Sequence, residues 1–472
     1  MKSLSLSALA AVGVLAGMTA ANAADLGGNC CADLEERIAE LEATTARKGN
    51  RKVSLTISGW VGQQLMVWDD GVRTKAYVTD LGTTLASHVK FTGSAAINSE
   101  WSAGYVLHIE AEGNDPLFLS QKTSNFTIGG SNGASGGGVA VLQSFWFLKS
   151  NSLGKLSIGK QSSAADNVAI LPDGSGSLVP ANYVFFDNNS FGLRLKSLTV
   201  AGTPIPVPGK PLLDDLFGTT GKFTWGQLAT CPGIQIGVSA DCDGVPNNNV
   251  RYDSPTFGGF SASWSWGEAD IWAVAGRYAG EFNNVKLAAA IAYTESTNTS
   301  RTDNGGNLVR VDAGALQIGA YVQHIPTGLF VYGAYGKDYN NKVVSTAFAA
   351  TLAGFGVGPK VDGDNWYLKA GIRQKWHSLG ASVLYGEYGE NNNKQSIDLY
   401  DATATGFALV TGSQVRQWGL GYVQEIDAAA MSLWITYRHF DAEANGTIFG
   451  IVPFKAELQS MDLVKVGGMI NF

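Results

Sequence analysis

The chain has 472 residues, 33 Lys and Arg against 40 Asp and Glu, a net charge of −7 and only 15% charged residues, yet 59 Gly and 12 Trp. Disorder is excluded, because disordered chains are charge-rich and aromatic-poor. A helical membrane protein is excluded too, because no apolar run past the N-terminus approaches the roughly 20 residues a spanning helix needs. The acidic balance argues against nucleic acid as a partner, and four cysteines are too few for a disulfide-stapled scaffold.

At the N-terminus, Lys2, the apolar stretch Leu4 to Ala20 and the A-x-A site Ala21-Asn22-Ala23 predict a signal peptide over 1–23, hence export. In the following segment, 24–52, Leu34, Ile38 and Leu41 fall at a 4,3 spacing among Glu35, Glu36, Arg37, Glu40 and Glu42. This predicts a short periplasmic helix over 32–48. It reads either as a solvated helix against the body of the protein or as an oligomerisation or tethering element. The adjacent Cys30 and Cys31 either pair between chains or stay free.

From Val53 to Phe472 the hydrophobic period is two. Val53, Leu55, Ile57 and Val61 alternate with Ser54, Thr56, Ser58 and Gly62. Trp366, Leu368, Ala370 and Ile372 alternate with Tyr367, Lys369, Gly371 and Arg373. Such alternation predicts strands with one apolar face. Sixteen are expected, at 53–68, 84–98, 101–112, 139–149, 155–161, 248–253, 258–267, 270–282, 284–296, 309–324, 328–339, 363–377, 379–390, 414–427, 429–441 and 456–472. The stretch 191–200 competes for the sixth place. Many exceed the five or six residues usual in soluble sheets. After the second strand, tight turns alternate with long polar loops, as in outer-membrane barrels. The expected fold is therefore an all-β, 16-stranded antiparallel transmembrane β-barrel, occupying 53–472, in the outer membrane of a Gram-negative cell and in contact with its lipid. An even strand number puts both termini at the periplasmic end. Trp264, Trp266, Trp272, Tyr278, Tyr293, Trp418, Tyr422 and Tyr437 recur near strand ends on the outward parity and predict interfacial girdles. The last strand ends on Phe472, with Ile470, Val466 and Val464 on one face. That pattern matches the signal read by the barrel-assembly machinery.

Inward parity assigns His88, Lys90, His108, Glu110, Arg277, Lys369, Arg373, Lys375, Arg438 and Lys465 to the lumen. A sixteen-strand barrel is too wide for side chains to fill, so its interior stays wet. The connection 162–247 is too long for a hairpin loop. Its first part, 162–190, is expected to fold inward as a constriction loop. There Asp166, Asp173 and Asp187 would face wall cations, setting a transverse field that discriminates by charge; for each Asp the plain alternative is a solvated turn. The second part, 201–249, is a Pro- and Gly-rich excursion in which Cys231 and Cys242 are expected to pair. Neither enzyme nor cofactor chemistry is expected. Gly133-Ala134-Ser135-Gly136-Gly137 matches G-x-S-x-G but lies in a Ser/Gly-rich loop rather than at a strand-to-helix elbow. Gly354-Phe355-Gly356 has no following helix. The five histidines show no metal-ligand spacing, so no metal is expected.

The run DLEERIAELEATTARKGNRKVSLTISGW, residues 33–60, resembles the mature N-terminus of alphaproteobacterial, rhizobial-type porins. RYDSPTFGGFSASWSWGEADIWAVAGRYAGEF, residues 251–282, resembles the same family, and GKLSIGKQSS, residues 154–163, looks like the strand leading into the constriction loop of general diffusion porins. The resemblance implies an outer-membrane homotrimer passing small hydrophilic solutes passively. In general porins the position after the Gly of that motif is an Arg of the eyelet. Here it is Lys160, which keeps the charge without the planar fork. Lys160 shares parity with Leu156 and Ile158, so an inward placement requires a bulge or a strand end. The expected function is passive diffusion through a water-filled channel, with Lys90, Lys160, Arg277, Lys369 and Arg373 facing Asp166, Asp173 and Asp187. The alternatives are a substrate-specific channel, or a porin that also tethers the outer membrane to the cell wall through 32–48.

Overall fold

The computed structural model describes residues 52–122, 138–217, 223–231, 241–302, 308–345, 362–394, 408–448 and 452–472. The expected signal peptide, the 32–48 helix, Cys30, Cys31 and the glycine motifs at 133–137 and 354–356 lie outside these residues. Among them the strands are β1 (Ser54–Asp69), β2 (Thr74–Thr79), β3 (Ser87–Ala96), β4 (Trp101–Glu112), β5 (Gly138–Ser150), β6 (Gly154–Gln161), β7 (Leu195–Val200), β8 (Thr203–Ile205), β9 (Asn247–Asp253) and β10 (Phe260–Gly267). They continue with β11 (Ile271–Phe282), β12 (Val285–Thr302), β13 (Leu308–His324), β14 (Leu329–Ser345), β15 (Gly363–His377), β16 (Gly380–Asn392), β17 (Ala408–Ile426), β18 (Met431–Ile448), β19 (Val452–Leu458) and β20 (Met461–Asn471).

Sixteen of these form a closed antiparallel barrel. β1 pairs with β3 on one side and with β20 on the other. β6 pairs with β9, the excursion between them leaving the wall and returning to it. The hairpin registers β9–β10 and β11–β12 follow in chain order, up to β17–β18. β18 then pairs with β20, which completes the ring. Closure leaves no unpaired edge, the condition for a sheet to span hydrocarbon.

The wall strands follow a period of two, interrupted by bulges such as that of β5 opposite His108 and Ile109. On β16, Leu384 and Tyr388 are exposed to the outside, while Val383, Tyr385 and Glu387 are buried within. On β20, Val464, Val466 and Ile470 point outward with Phe472, and Leu463 and Lys465 point inward. Phe472 exchanges both backbone hydrogen bonds with Gly59 at 3.0 Å, joining the chain's last residue to its first strand.

Four strands stand apart from the sixteen. β2 pairs with the outer end of β1, and β19 with the outer end of β18. β7 pairs with β19 and with β8. The competing stretch 191–200 therefore builds an extracellular extension, and the sixth barrel strand is β9. The expected single strand 456–472 is two strands broken at Gln459 and Ser460. β19 leans out to meet β7, while β20 continues down the wall.

The inward-folded loop and the lumen wall

The segment 162–190 enters the barrel and runs along one side of its inner wall. Ala164, Ala165 and Val168 pack on Ala273, Ala275, Ala290 and Ala292 of β11 and β12, small residues that allow close approach. Ala169, Ile170, Ala181, Tyr183 and Val184 pack on Tyr321, Tyr332, Tyr367 and Tyr385 of β13 to β16. Phe185 meets Phe440 of β18 edge-on at 5.2 Å. At the closest approach a Cβ on Gly319 would sit 2.1 Å from the Ala169 carbonyl oxygen. The Tyr332 hydroxyl donates to that oxygen at 2.6 Å.

Ion pairs fix the segment there. Lys369 Nζ lies 2.6 Å from Asp173 Oδ2, both side chains fully buried, and also donates to the Ala181 carbonyl at 2.9 Å. Lys465 Nζ lies 2.5 Å from Asp187 Oδ2 and donates to the Pro180 carbonyl at 3.2 Å. Gln64 Nε2 donates to the other oxygen of Asp187 at 2.9 Å. Arg438 forks onto Glu387, at 2.6 and 2.8 Å, and reaches the Asn182 carbonyl. Arg373 meets Glu425 through one nitrogen, Nη2, which donates to both carboxylate oxygens at 2.8 Å. The sequence pattern predicts acids and bases facing each other across a water-filled constriction. Instead Asp173 and Asp187 touch Lys369 and Lys465. Where water is excluded, opposite charges lower their energy most by contact, so these four groups rivet the loop.

The remaining wall is different. β3, β5, β6, β9 and β11 carry Lys90, Lys149, Lys155, Arg251 and Arg277. Lys155 and Arg251 share one carboxylate, Asp253, at 3.2 and 2.7 Å. Arg277 donates to the Ser263 hydroxyl at 2.8 Å and to the Ala164 carbonyl at 2.6 Å. Lys90, Lys149 and Arg277 have no ion-pair partner among the described residues. Lys160 does not join this group. It keeps the parity of Leu156 and Ile158, both exposed outward, and its Nζ donates to the Val141 carbonyl at 2.7 Å on the outer face. No bulge turns the β6 register, which runs without a shift from Gly154 to Lys160 against β5.

Of the excursion 201–249, β8 belongs to the extension beside β7, whereas residues 223–231 and 241–243 pack into the mouth on the inner wall. Trp225 and Leu228 are buried against Phe440 and Val415 on the inner faces of β18 and β17. A disulfide joins Cys231 to Cys242. On either side of Cys242, Gln317 of β13 donates to Asp241 at 2.9 Å, and Thr294 of β12 donates to Asp243 at 3.1 Å. The Ser163 hydroxyl also donates to Asp243, at 2.5 Å, which links the excursion to the constriction segment. Burial pushes the Asp243 carboxyl up to about 7 and the Asp241 carboxyl up to about 6. Asp166 is raised well above its ordinary 3.8 by burial and then by the charge of Asp241.

Sequence reasoning missed two groupings. Lys394, fully buried, pairs with Asp338 at 2.8 Å. His88, His108 and Glu110 meet on the inner face of β3 and β4 with their ligand atoms all within 4.8 Å of one another. The second was available from the hairpin. Its register sets His88 opposite Glu110 and Lys90 opposite His108.

A closed sixteen-stranded barrel with an inward-folded loop after its fifth strand and polar groups on its inner wall is the architecture of an outer-membrane channel. The chain belongs to the Gram-negative porin family, whose model matches residues 6–445. It is therefore an outer-membrane β-barrel of the general porin type and not an enzyme. Among solved structures it is similar to the anion-selective porin from Comamonas acidovorans, with 15% identity, 89% of this chain and 100% of that one covered, and a TM-score of 0.52. It also matches the outer-membrane-expressed OmpT of Vibrio cholerae at 12% identity, covering 90% of this chain and 99% of that one, with a TM-score of 0.48. The first likeness shows the fold alone. A search of curated proteins finds no match.

Proposed function

We propose that the protein is a passive diffusion channel for small hydrophilic solutes whose path follows the wall of β3, β5, β6, β9 and β11, and that this path favours anions. The observation that carries the reading is the uneven use of charge. Asp173 and Asp187 are consumed by Lys369 and Lys465 on the side where the constriction segment lies. The wall from β3 to β9 holds Lys90, Lys149, Lys155 and Arg251, and Arg277 of β11 stands at its border with the segment; the carboxylates near these cations are Asp253, Glu110 and Asp166. A ring of one sign in a low-dielectric passage raises the local concentration of its counter-ion. The net −7 of the chain does not set this preference, because selectivity follows the charges along the path. The trimeric assembly and the affinity with alphaproteobacterial porins belong to the same reading, supported by the resemblance in 33–60 and 251–282.

Single-channel recording of the purified protein tests the reading. Ohmic steps, with liposome swelling rates that fall smoothly as sugar size grows, are expected. Currents blocked by one particular solute would move the reading to a substrate-specific channel, and absence of conductance would end both. The detergent-corrected mass from light scattering should equal three chains; a monomer would remove the trimer from the reading.

A further inference from the structure

We propose that His88, His108 and Glu110 form a binding site for one divalent transition-metal ion of the zinc class, inside the barrel wall under the β1–β3 connection. Their ligand atoms lie within 4.8 Å of one another, and all three residues are more than nine-tenths buried. Two imidazoles and one carboxylate are the donor set that borderline divalent ions favour, and they leave a fourth position open to water or a solute anion.

The chemistry of each ring fits a ligand. His88 Nδ1 lies 3.1 Å from the Ala86 carbonyl, which can only accept, so the proton resides on Nδ1 and the Nε2 lone pair is free to coordinate. A ligand histidine typically has its second nitrogen held in this way. His108 Nε2 is buried and has no hydrogen-bond partner among the described residues. An imidazole nitrogen sealed from water without a partner carries a desolvation cost that a metal bond removes. Glu110 Oε2 accepts from the Thr84 amide at 3.2 Å, which orients the carboxylate. The Trp60 ring stands edge-on to His88 at 4.0 Å, and its Nε1 donates to the Leu85 carbonyl at 3.0 Å, holding the connection over the site. Tetrahedral zinc with bonds of about 2.0–2.1 Å needs ligand atoms about 3.3 Å apart, a closure that side-chain rotation supplies. Lys90, two residues along β3 on the same face, is the nearest opposing charge and weakens the site.

The test is a zinc titration, by calorimetry, of the full-length protein in detergent after chelator treatment. One zinc per chain is expected. His88→Gln and His108→Gln should each weaken binding by at least about tenfold, Lys90→Gln should tighten it, and His439→Gln, on the outward parity of β18 beside Trp418, should leave it unchanged. Binding that survives both His88→Gln and His108→Gln overturns the proposal, as does absence of binding to the native chain. Because a variant barrel can fail to fold, the native protein is also crystallised with zinc. An anomalous peak between His88 and His108 supports the site; a zinc-loaded crystal with its peak elsewhere or with none overturns it.

Discussion

At Lys369 an ammonium with no exposure to solvent rests on Asp173, between the rings of Tyr332 and Tyr385 at 5.7 and 5.5 Å. Removing one member of such a pair strands the other, which typically costs about 3–5 kcal/mol, whereas replacing both by apolar groups is often neutral. Lys369→Met should therefore lower the thermal unfolding midpoint and make the segment 162–190 open to protease. Lys369→Met combined with Asp173→Leu should recover much of the loss. Equal damage in the single and double variants would remove the rivet role. Asp243 makes a separate prediction. Its folded value of about 7 exceeds the ordinary 3.8 of an aspartate, so the folded state holds the proton more tightly than the unfolded one. Its contribution is fully present below about 3.8 and is lost as pH rises through about 7. Packing of the mouth, followed by Trp225 fluorescence or by protection of 223–231 from protease, should loosen over that window, and Asp243→Asn should flatten the dependence. A profile unchanged by the substitution would contradict the assignment.

At the scale of elements, the strands were legible because lipid excludes charge and water accepts it. Val464, Val466 and Ile470 against Lys465 is a pattern that only a two-sided strand explains. The sixteen barrel strands follow from it. What the pattern hides is where a strand leaves the wall: β19 and β20 share one run of alternation, and only the meeting of β19 with β7 breaks it. The site was less legible. Parity placed Lys369, Arg373, Arg438 and Lys465 inside, but not their partners. Lys369 and Asp173 stand 196 positions apart, Lys465 and Asp187 278 apart, and such pairing is decided by the path of the loop. Lys160 shows the opposite case, since its own parity already pointed outward. The path of the segment depends on Gly319, where a Cβ would meet the Ala169 carbonyl at 2.1 Å. Gly319→Ala should push the segment toward the lumen, leaving the β-signature of the circular dichroism spectrum intact and changing the single-channel conductance. Unchanged conductance would show that the approach does not set the passage.

At the scale of the whole molecule, the two long insertions lie on the same side. The segment 162–190 and the excursion with its disulfide both pack on the inner faces of β11 to β18. Lys369, Arg373, Arg438 and Lys465 on that side are each paired with a carboxylate, whereas the cations from β3 to β11 have too few acids to match. The net charge of −7 thus coexists with a basic lumen wall. The most direct test is the reversal potential of the reconstituted channel in a KCl gradient. We expect a sign that reports chloride preferred over potassium, with the preference reduced in Lys90→Gln and reduced further when Arg277→Gln is added. A potential reporting potassium preference, or one that neither substitution moves, would contradict the account.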